Sequence, residues 1–171
     1  MPFSSEPLDH RHAVAAFDSG KPDLDGWLRQ HALGAEARRT GRTFVWQSDR
    51  VVAYYTLTAH LLVREDLPKS LGRGGPRQVP AVLLARLALD KTLQGQGLGG
   101  VLLADALARI VEATQTVAAR FVVVDAIDEP AVAFYEHHGF RRIPGAGRLV
   151  QKTSDIAAAV QAGDDQPPQV G

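Results

Sequence analysis

The stretch LQGQGLGGVLL, Leu93–Leu103, places four glycines in eleven residues and runs directly into an apolar helical pattern. Glycine lets backbone approach a ligand without Cβ clashes, and the unsatisfied N–H groups at a helix start attract an anion. Three phosphate ligands compete for such a loop: a nucleoside triphosphate, a dinucleotide and coenzyme A. The triphosphate loop needs a Lys-Ser or Lys-Thr pair closing its glycines, whereas Lys91-Thr92 precede them here. The dinucleotide fingerprint is met locally by Gly95, Gly97 and Gly100, with Asp125 ending the next strand 25 residues later. That fingerprint normally opens a doubly wound sheet. Here 92 residues precede Leu93 and only 46 follow Asp125, too few for the remaining strands and helices.

The flanks give the order of elements. Phe3–Ser5 reads as a short strand and residues 10–17 as a short helix. KPDLDGWLRQHALGAEARRTG reads as one helix capped by Asp23 or Asp25, with Leu24, Trp27, Leu28 and Leu33 on its apolar stripe and Gly41 at its end. RTFVWQ and VVAYYTLTAHLLV form a hairpin across Ser48-Asp49-Arg50, the second strand alternating in two faces. PKSLGRGGPRQVP is a loop, and AVLLARLALD a strand buried on both faces. A helix from Leu98 to Thr116, the buried strand RFVVVDAI, a helix with Pro130 in its first turn and Gly139 at its stop, and the strand RLVQKT complete the pattern. The expectation is one domain over residues 1–160 and a disordered tail over 161–171.

Composition narrows the function. With 45% hydrophobic and 22% charged residues the chain is globular. No apolar run reaches membrane-spanning length and the N-terminus lacks signal-peptide features, so a cytoplasmic protein with no membrane partner is expected. The absence of cysteine excludes disulfides, thiolate metal sites and cysteine nucleophiles, and no metal is expected. Net charge is zero but segregated: −3 over residues 1–28, +6 over 29–91 and −3 over 92–171. The basic middle is either a phosphate-backbone footprint or an ordinary solvated face.

Taken with its surroundings, the loop fits coenzyme A. Gln94-Gly95-Gln96-Gly97-Leu98-Gly99 matches Q/R-x-x-G-x-G/A, and AVAFYEHHGF follows about 40 residues later. On these residues the chain resembles the GNAT acetyltransferases over nearly its full length. The resemblance implies an α/β (α+β) GNAT fold, a mixed central sheet flanked by helices, with two neighbouring parallel strands splayed around the pantetheine of acetyl-coenzyme A. Those strands are residues 82–89 and 121–126. Leu87, Ala88 and Leu89 are expected along the cofactor arm, and Gln94, Gly95, Gln96, Gly97, Leu98, Gly99 and Gly100 around the pyrophosphate, with the two glutamines as added amide donors. Many members carry Asn seven residues before the helix tyrosine. Asp128 stands there in this chain, a poor neighbour for an anion, and receives no binding role.

Acetyl transfer to an amine needs a neutral amine, stabilisation of a tetrahedral intermediate and a proton for the departing thiolate. By resemblance Tyr135 is the general acid; a phenol with pKa about 10 remains protonated at neutral pH. Phe134 is assigned to packing. No general base stands out among His60, His137 and His138. That favours an acceptor with pKa about 7.7–8.0, an α-amine, over a lysine side chain near 10.4.

One branch of the family resembles the chain from end to end: the acetyltransferase toxins of toxin–antitoxin pairs. FDSGKPDLDGWLRQHA, RTFVWQSDRVVAYYTLTAH, VPAVLLARLALDKTLQGQGLGGVLLADAL and VVVDAIDEPAVAFYEHHGF carry the likeness. The resemblance implies acetylation of the α-amino group of aminoacyl-tRNA, a block of translation, a ribbon-helix-helix antitoxin as partner, and a homodimer. Arg38, Arg39, Arg42, Arg73, Arg77 and Arg86 are the candidate RNA contacts. Ser19 replaces a cysteine common in relatives, with an effect expected on packing only. The alternatives are a GNAT enzyme acting on a small amine or a protein N-terminus, and a non-catalytic cofactor-binding or interaction module.

Overall fold

A computed structural model describes residues 3–145 and 147–164. Seven strands form one mixed sheet in the order β1-β2-β3-β4-β5-β7-β6. They are β1 (Glu6–Pro7), β2 (Arg42–Gln47), β3 (Val51–Val63), β4 (Gln78–Leu89), β5 (Phe121–Asp125), β6 (Arg141–Arg142) and β7 (Arg148–Lys152). The helices are α1 (Pro22–Gln30), α2 (Ala32–Arg38), α3 (Lys69–Gly72), α4 (Leu98–Thr114), α5 (Glu129–His137) and α6 (Thr153–Asp164). The chain condenses into two compact units. One is the chain up to Ala59 with Leu83–Ala106; the other is His60–Val82 with the chain from Leu107 onward.

In the first unit β1, β2 and β3 pair antiparallel, with Phe44 opposite Tyr55. Thr43 and Thr56 join hydroxyls at 2.7 Å inside the sheet, so neither buried oxygen lacks a partner. Val51 to Thr56 are all buried, on both faces of β3, instead of alternating as expected. One of those faces packs Tyr54 against Phe17, Leu28, Ala32 and Ala88. Burying Phe17 or Leu28 stabilises by about 1.5–3 kcal/mol each.

Several local expectations fail here for identifiable reasons. Residues 10–17 form turns, because their hydrogen bonds go elsewhere: Val51 N–H donates to Ala13 C=O, and Ala13 N–H to the Gln47 side chain. The single expected helix is two, broken at His31. Leu33, placed on the apolar stripe, is 45% exposed. Neither Asp23 nor Asp25 caps α1; Lys21 occupies the cap and Pro22 the first turn. The buried Asp25 carboxylate accepts from Ser19 N–H at 3.0 Å and Ser19 Oγ at 2.6 Å. Ser19 therefore does more than pack, since its hydroxyl fixes the entry to α1. The α2 helix ends at Arg39 in the left-handed conformation, ahead of Gly41. The first strand lies at Glu6–Pro7, after the expected Phe3–Ser5.

In the second unit β5 pairs antiparallel with β7, Val123 opposite Val150, and β7 with β6. Helices α5 and α6 pack on β7. The expected loop after Leu67 contains α3, and β4 begins at Gln78. Strand β4 is less buried than its composition suggests: Ala85, Arg86, Leu87 and Leu89 are only partly covered. Residues 161–164, expected in the tail, belong to α6; residues 165–171 lie outside the described residues. Among the described residues no helix is long and apolar enough to cross a membrane.

Candidate active site

The glycine loop is held from its stem. Asp90, 1% exposed, closes β4 and accepts from five directions. The Arg50 guanidinium binds both its oxygens at 2.8 and 3.1 Å, Thr92 donates from N–H and Oγ1, and Asp18 donates its N–H. These bonds, Arg50 first, hold the Asp90 carboxyl well below the usual carboxylate range. Sequence reading missed this pair, because its members lie 40 positions apart and only the fold brings them together.

Arg50→Ala is expected to destabilise the protein by about 2–3 kcal/mol, near the lower end for a broken buried pair because Asp90 keeps three other donors. The Asp90 pKa is depressed in the folded state. Its contribution is therefore complete above the unfolded value of about 3.9 and fades as pH falls below it. Denaturant midpoints of wild type and variant should differ at neutral pH and converge in acid.

Above the stem, Gln94 spends its amide on the Ser19 and Leu89 carbonyls, each at 2.8 Å, and Gln96 donates to Thr92 C=O at 3.3 Å. The two glutamines expected as donors to pyrophosphate thus brace the loop through nearby carbonyls. Gly95 and Gly97 take φ of +79° and +77°, where L side chains are strained. A Cβ on either would meet nothing within 4 Å, so the loop is open above both. Leu98 begins α4, Gly99 and Gly100 continue its first turn, and that turn holds no acidic residue. A Gly-opened backbone and a helix start with no acidic residue in its first turn fit a pyrophosphate. Leu87, Ala88 and Leu89 end the strand feeding this loop, Ala88 buried and the leucines half-covered.

Tyr135 lies on α5 in the second unit. Asp128 caps that helix by accepting from Ala131 N–H at 2.9 Å, which gives the aspartate a structural reason to stand there. The Tyr135 ring is buried, edge-on to Phe134 and Phe140. Burial pushes its phenol well above the usual value, with no charge or hydrogen bond contributing. Raised in this way, the Tyr135 phenol keeps its proton at neutral pH.

Neither His60 nor His138 is arranged as a strong base. His60 accepts from Arg148 at 3.2 Å through Nε2, and Arg148 binds Asp125 through two bonds of 2.7 and 2.9 Å. Burial and then Arg148 lower the His60 pKa, so the ring is neutral but its Nε2 lone pair is engaged. His138 is lowered by burial and then by His137, and packs on Phe134. Among the described residues no group of three His, Asp or Glu is placed to hold a metal.

The six arginines divide between the units. Arg38 and Arg86 line one pocket in the first unit. Arg39 is exposed, and Arg42 is tied to Glu36 at 2.6 Å. Arg73 and Arg77 belong to the second unit; both are exposed, and Arg77 lies 3.8 Å from Glu65.

The sequence model of the acetyltransferase (GNAT) domain matches residues 39–142, which contain the loop and Tyr135. The chain is a GNAT acetyltransferase. The enzyme is 41% identical over 132 residues to a tRNA-acetylating toxin of Mycobacterium tuberculosis, an alignment covering 77% of this chain and 80% of the relative. Among solved structures it is similar to AtaT complexed with acetyl-methionyl-tRNAfMet, with a TM-score of 0.85 at 29% identity over 92% of this chain and 98% of that one. A tyrosine-to-phenylalanine mutant of AtaT bound to the C-terminus of the antitoxin AtaR and acetyl-CoA superposes with a TM-score of 0.81, at 27% identity over 93% and 98%. As a member of this family the enzyme is an acetyl-CoA-dependent N-acetyltransferase.

Proposed function

We infer that this GNAT enzyme transfers acetyl from acetyl-CoA to the α-amino group of aminoacyl-tRNA and so blocks translation. The observation that carries the reading is the Gly95–Gly97 loop opening onto α4 in a chain 41% identical to a tRNA-acetylating toxin. Acetyl-CoA supplies the activated acetyl group. The backbone of residues 94–100 holds the pyrophosphate, and Leu87, Ala88 and Leu89 line its pantetheine arm. The acceptor nitrogen bonds to the acetyl carbon as the C–S bond breaks. Tyr135 gives its phenolic proton to the departing sulfur, the amine proton leaves to solvent, and solvent returns a proton to the tyrosinate. With neither His60 nor His138 arranged as a base, an α-amine suits the site, because it is appreciably neutral near pH 7.5 without help. A ribbon-helix-helix antitoxin, a homodimer and a cytoplasmic site of action complete the reading on the family resemblance, and the AtaR-bound relative supports an antitoxin partner.

Arg38, Arg39, Arg73, Arg77 and Arg86 then contact the RNA backbone, with Arg42 weaker because Glu36 already holds it. Each Arg→Ala protein that loses a phosphate contact should bind tRNA less tightly and flatten its log–log salt dependence by about one unit. Acetyl-CoA affinity should not change. Titration of tRNA at several salt concentrations checks this. Unchanged affinity and slope across the whole set would favour an acceptor that is a small amine or a protein N-terminus.

A further inference from the structure

The pocket shared by Arg38 and Arg86 is a cavity of about 330 Å³ on the face of the first unit formed by α1, α2, β3 and β4. Its size is at the small end of ligand sites. Trp27 reaches it from α1, His31 from the break between α1 and α2, Arg38 from α2, Thr58 from β3 and Arg86 from β4. The Arg86 guanidinium stacks 3.9 Å from the Trp27 ring centroid, and Trp27 in turn stacks on Tyr54 with planes 13° apart. The result is a layered, flat, cationic surface inside a pocket. No carboxylate lines it. Arg86 is half-buried and has no acidic partner among the described residues; burial lowers its pKa, although a guanidinium remains charged. Desolvating a cation without an anion is unfavourable, which argues that the anion comes with a ligand. Thr58 already donates to Thr40 C=O, leaving the arginines and His31 as the donors toward an occupant.

We propose that this pocket binds one nucleotide of the single-stranded 3′ end of the acceptor RNA. The phosphodiester pairs with Arg38 and Arg86, and the base stacks on the guanidinium–indole layer. Single-stranded RNA is recognised in this way, by planar side chains and cations together. The assignment rests on the aminoacyl-tRNA reading and adds to it where the acceptor strand is held. The other nucleoside phosphate at hand is the adenosine end of coenzyme A, and the test separates the two.

Trp27 is itself the probe, because the only other tryptophan, Trp46, is 1% exposed. A trinucleotide of sequence CCA should quench tryptophan emission saturably in the wild-type enzyme. Arg86→Met keeps an unbranched stem on the indole and removes the charge. It should weaken the trinucleotide roughly tenfold or more and raise KM for aminoacyl-tRNA by a similar factor, with KM for acetyl-CoA unchanged. Trp27→Phe should abolish the quenching, and circular dichroism confirms its fold; Arg86→Met decides alone if that variant does not fold. Wild-type KM for aminoacyl-tRNA in Arg86→Met, or a loss confined to acetyl-CoA, overturns the assignment. If the wild-type enzyme acetylates no aminoacyl-tRNA, the proposed function fails by itself. The trinucleotide titration then decides the pocket: saturable quenching upholds it and flat emission overturns it.

Discussion

Replacing Gly97 by Asp is expected to remove acetyl-CoA binding and leave the fold intact. Gly97 sits at φ +77°, and a Cβ there meets no protein atom within 4 Å. The left-handed backbone costs an L residue about 1–2 kcal/mol, less for Asp than for most. The carboxylate, however, projects into the open space above the loop and faces the same N–H groups that would hold pyrophosphate. Like charges placed against each other cost several kcal/mol, so affinity should fall roughly a hundredfold or more. Gly97→Ala, which carries the strain without the charge, should lose far less. Calorimetric titration of both proteins with acetyl-CoA, beside their circular dichroism, measures the effect. Near wild-type affinity in a folded Gly97→Asp protein contradicts the loop assignment.

Tyr135→Phe keeps the ring against Phe134 and Phe140 and deletes only the proton donor. General acid catalysis contributes about 10²–10⁴-fold, and single-turnover transfer should slow by that order with acetyl-CoA affinity nearly unchanged. The pH profile adds a second sign. The wild-type rate should rise as the acceptor α-amine loses its proton, with a midpoint of about 7.7–8.0. It should then stay flat through pH 10, since burial pushes the Tyr135 phenol well above its ordinary value. A wild-type single-turnover rate in the mutant means that the thiolate is protonated by another group.

The elements marked by strong local punctuation were legible in the sequence. Glycines bracket the start of α4, Pro130 and Gly139 bracket α5, and Ser48-Asp49-Arg50 turns β2 into β3. What escaped depends on partners distant in sequence. Residues 10–17 have helical spacing, but their backbone groups bond to Val51 and Gln47. Asp25 resembles a cap, yet Ser19 claims it. Gln94 and Gln96 have the right chemistry for a phosphate and spend it on nearby carbonyls. The Arg50–Asp90 pair and the Arg86–Trp27 stack join residues 40 and 59 positions apart, and no periodicity announces either. The Gly95–Gly97 loop, being local, was therefore more readable than the Arg38–Arg86 pocket.

Mass analysis of the RNA identifies the acceptor most directly. Aminoacyl-tRNA is incubated with the enzyme and acetyl-CoA, and the aminoacyl end is released and weighed. The prediction is one acetyl group on the α-nitrogen of the amino acid, absent without enzyme and absent from tRNA deacylated beforehand. Unmodified aminoacyl ends across a full set of charged tRNAs, with a small amine or a peptide N-terminus acetylated under the same conditions, would contradict it.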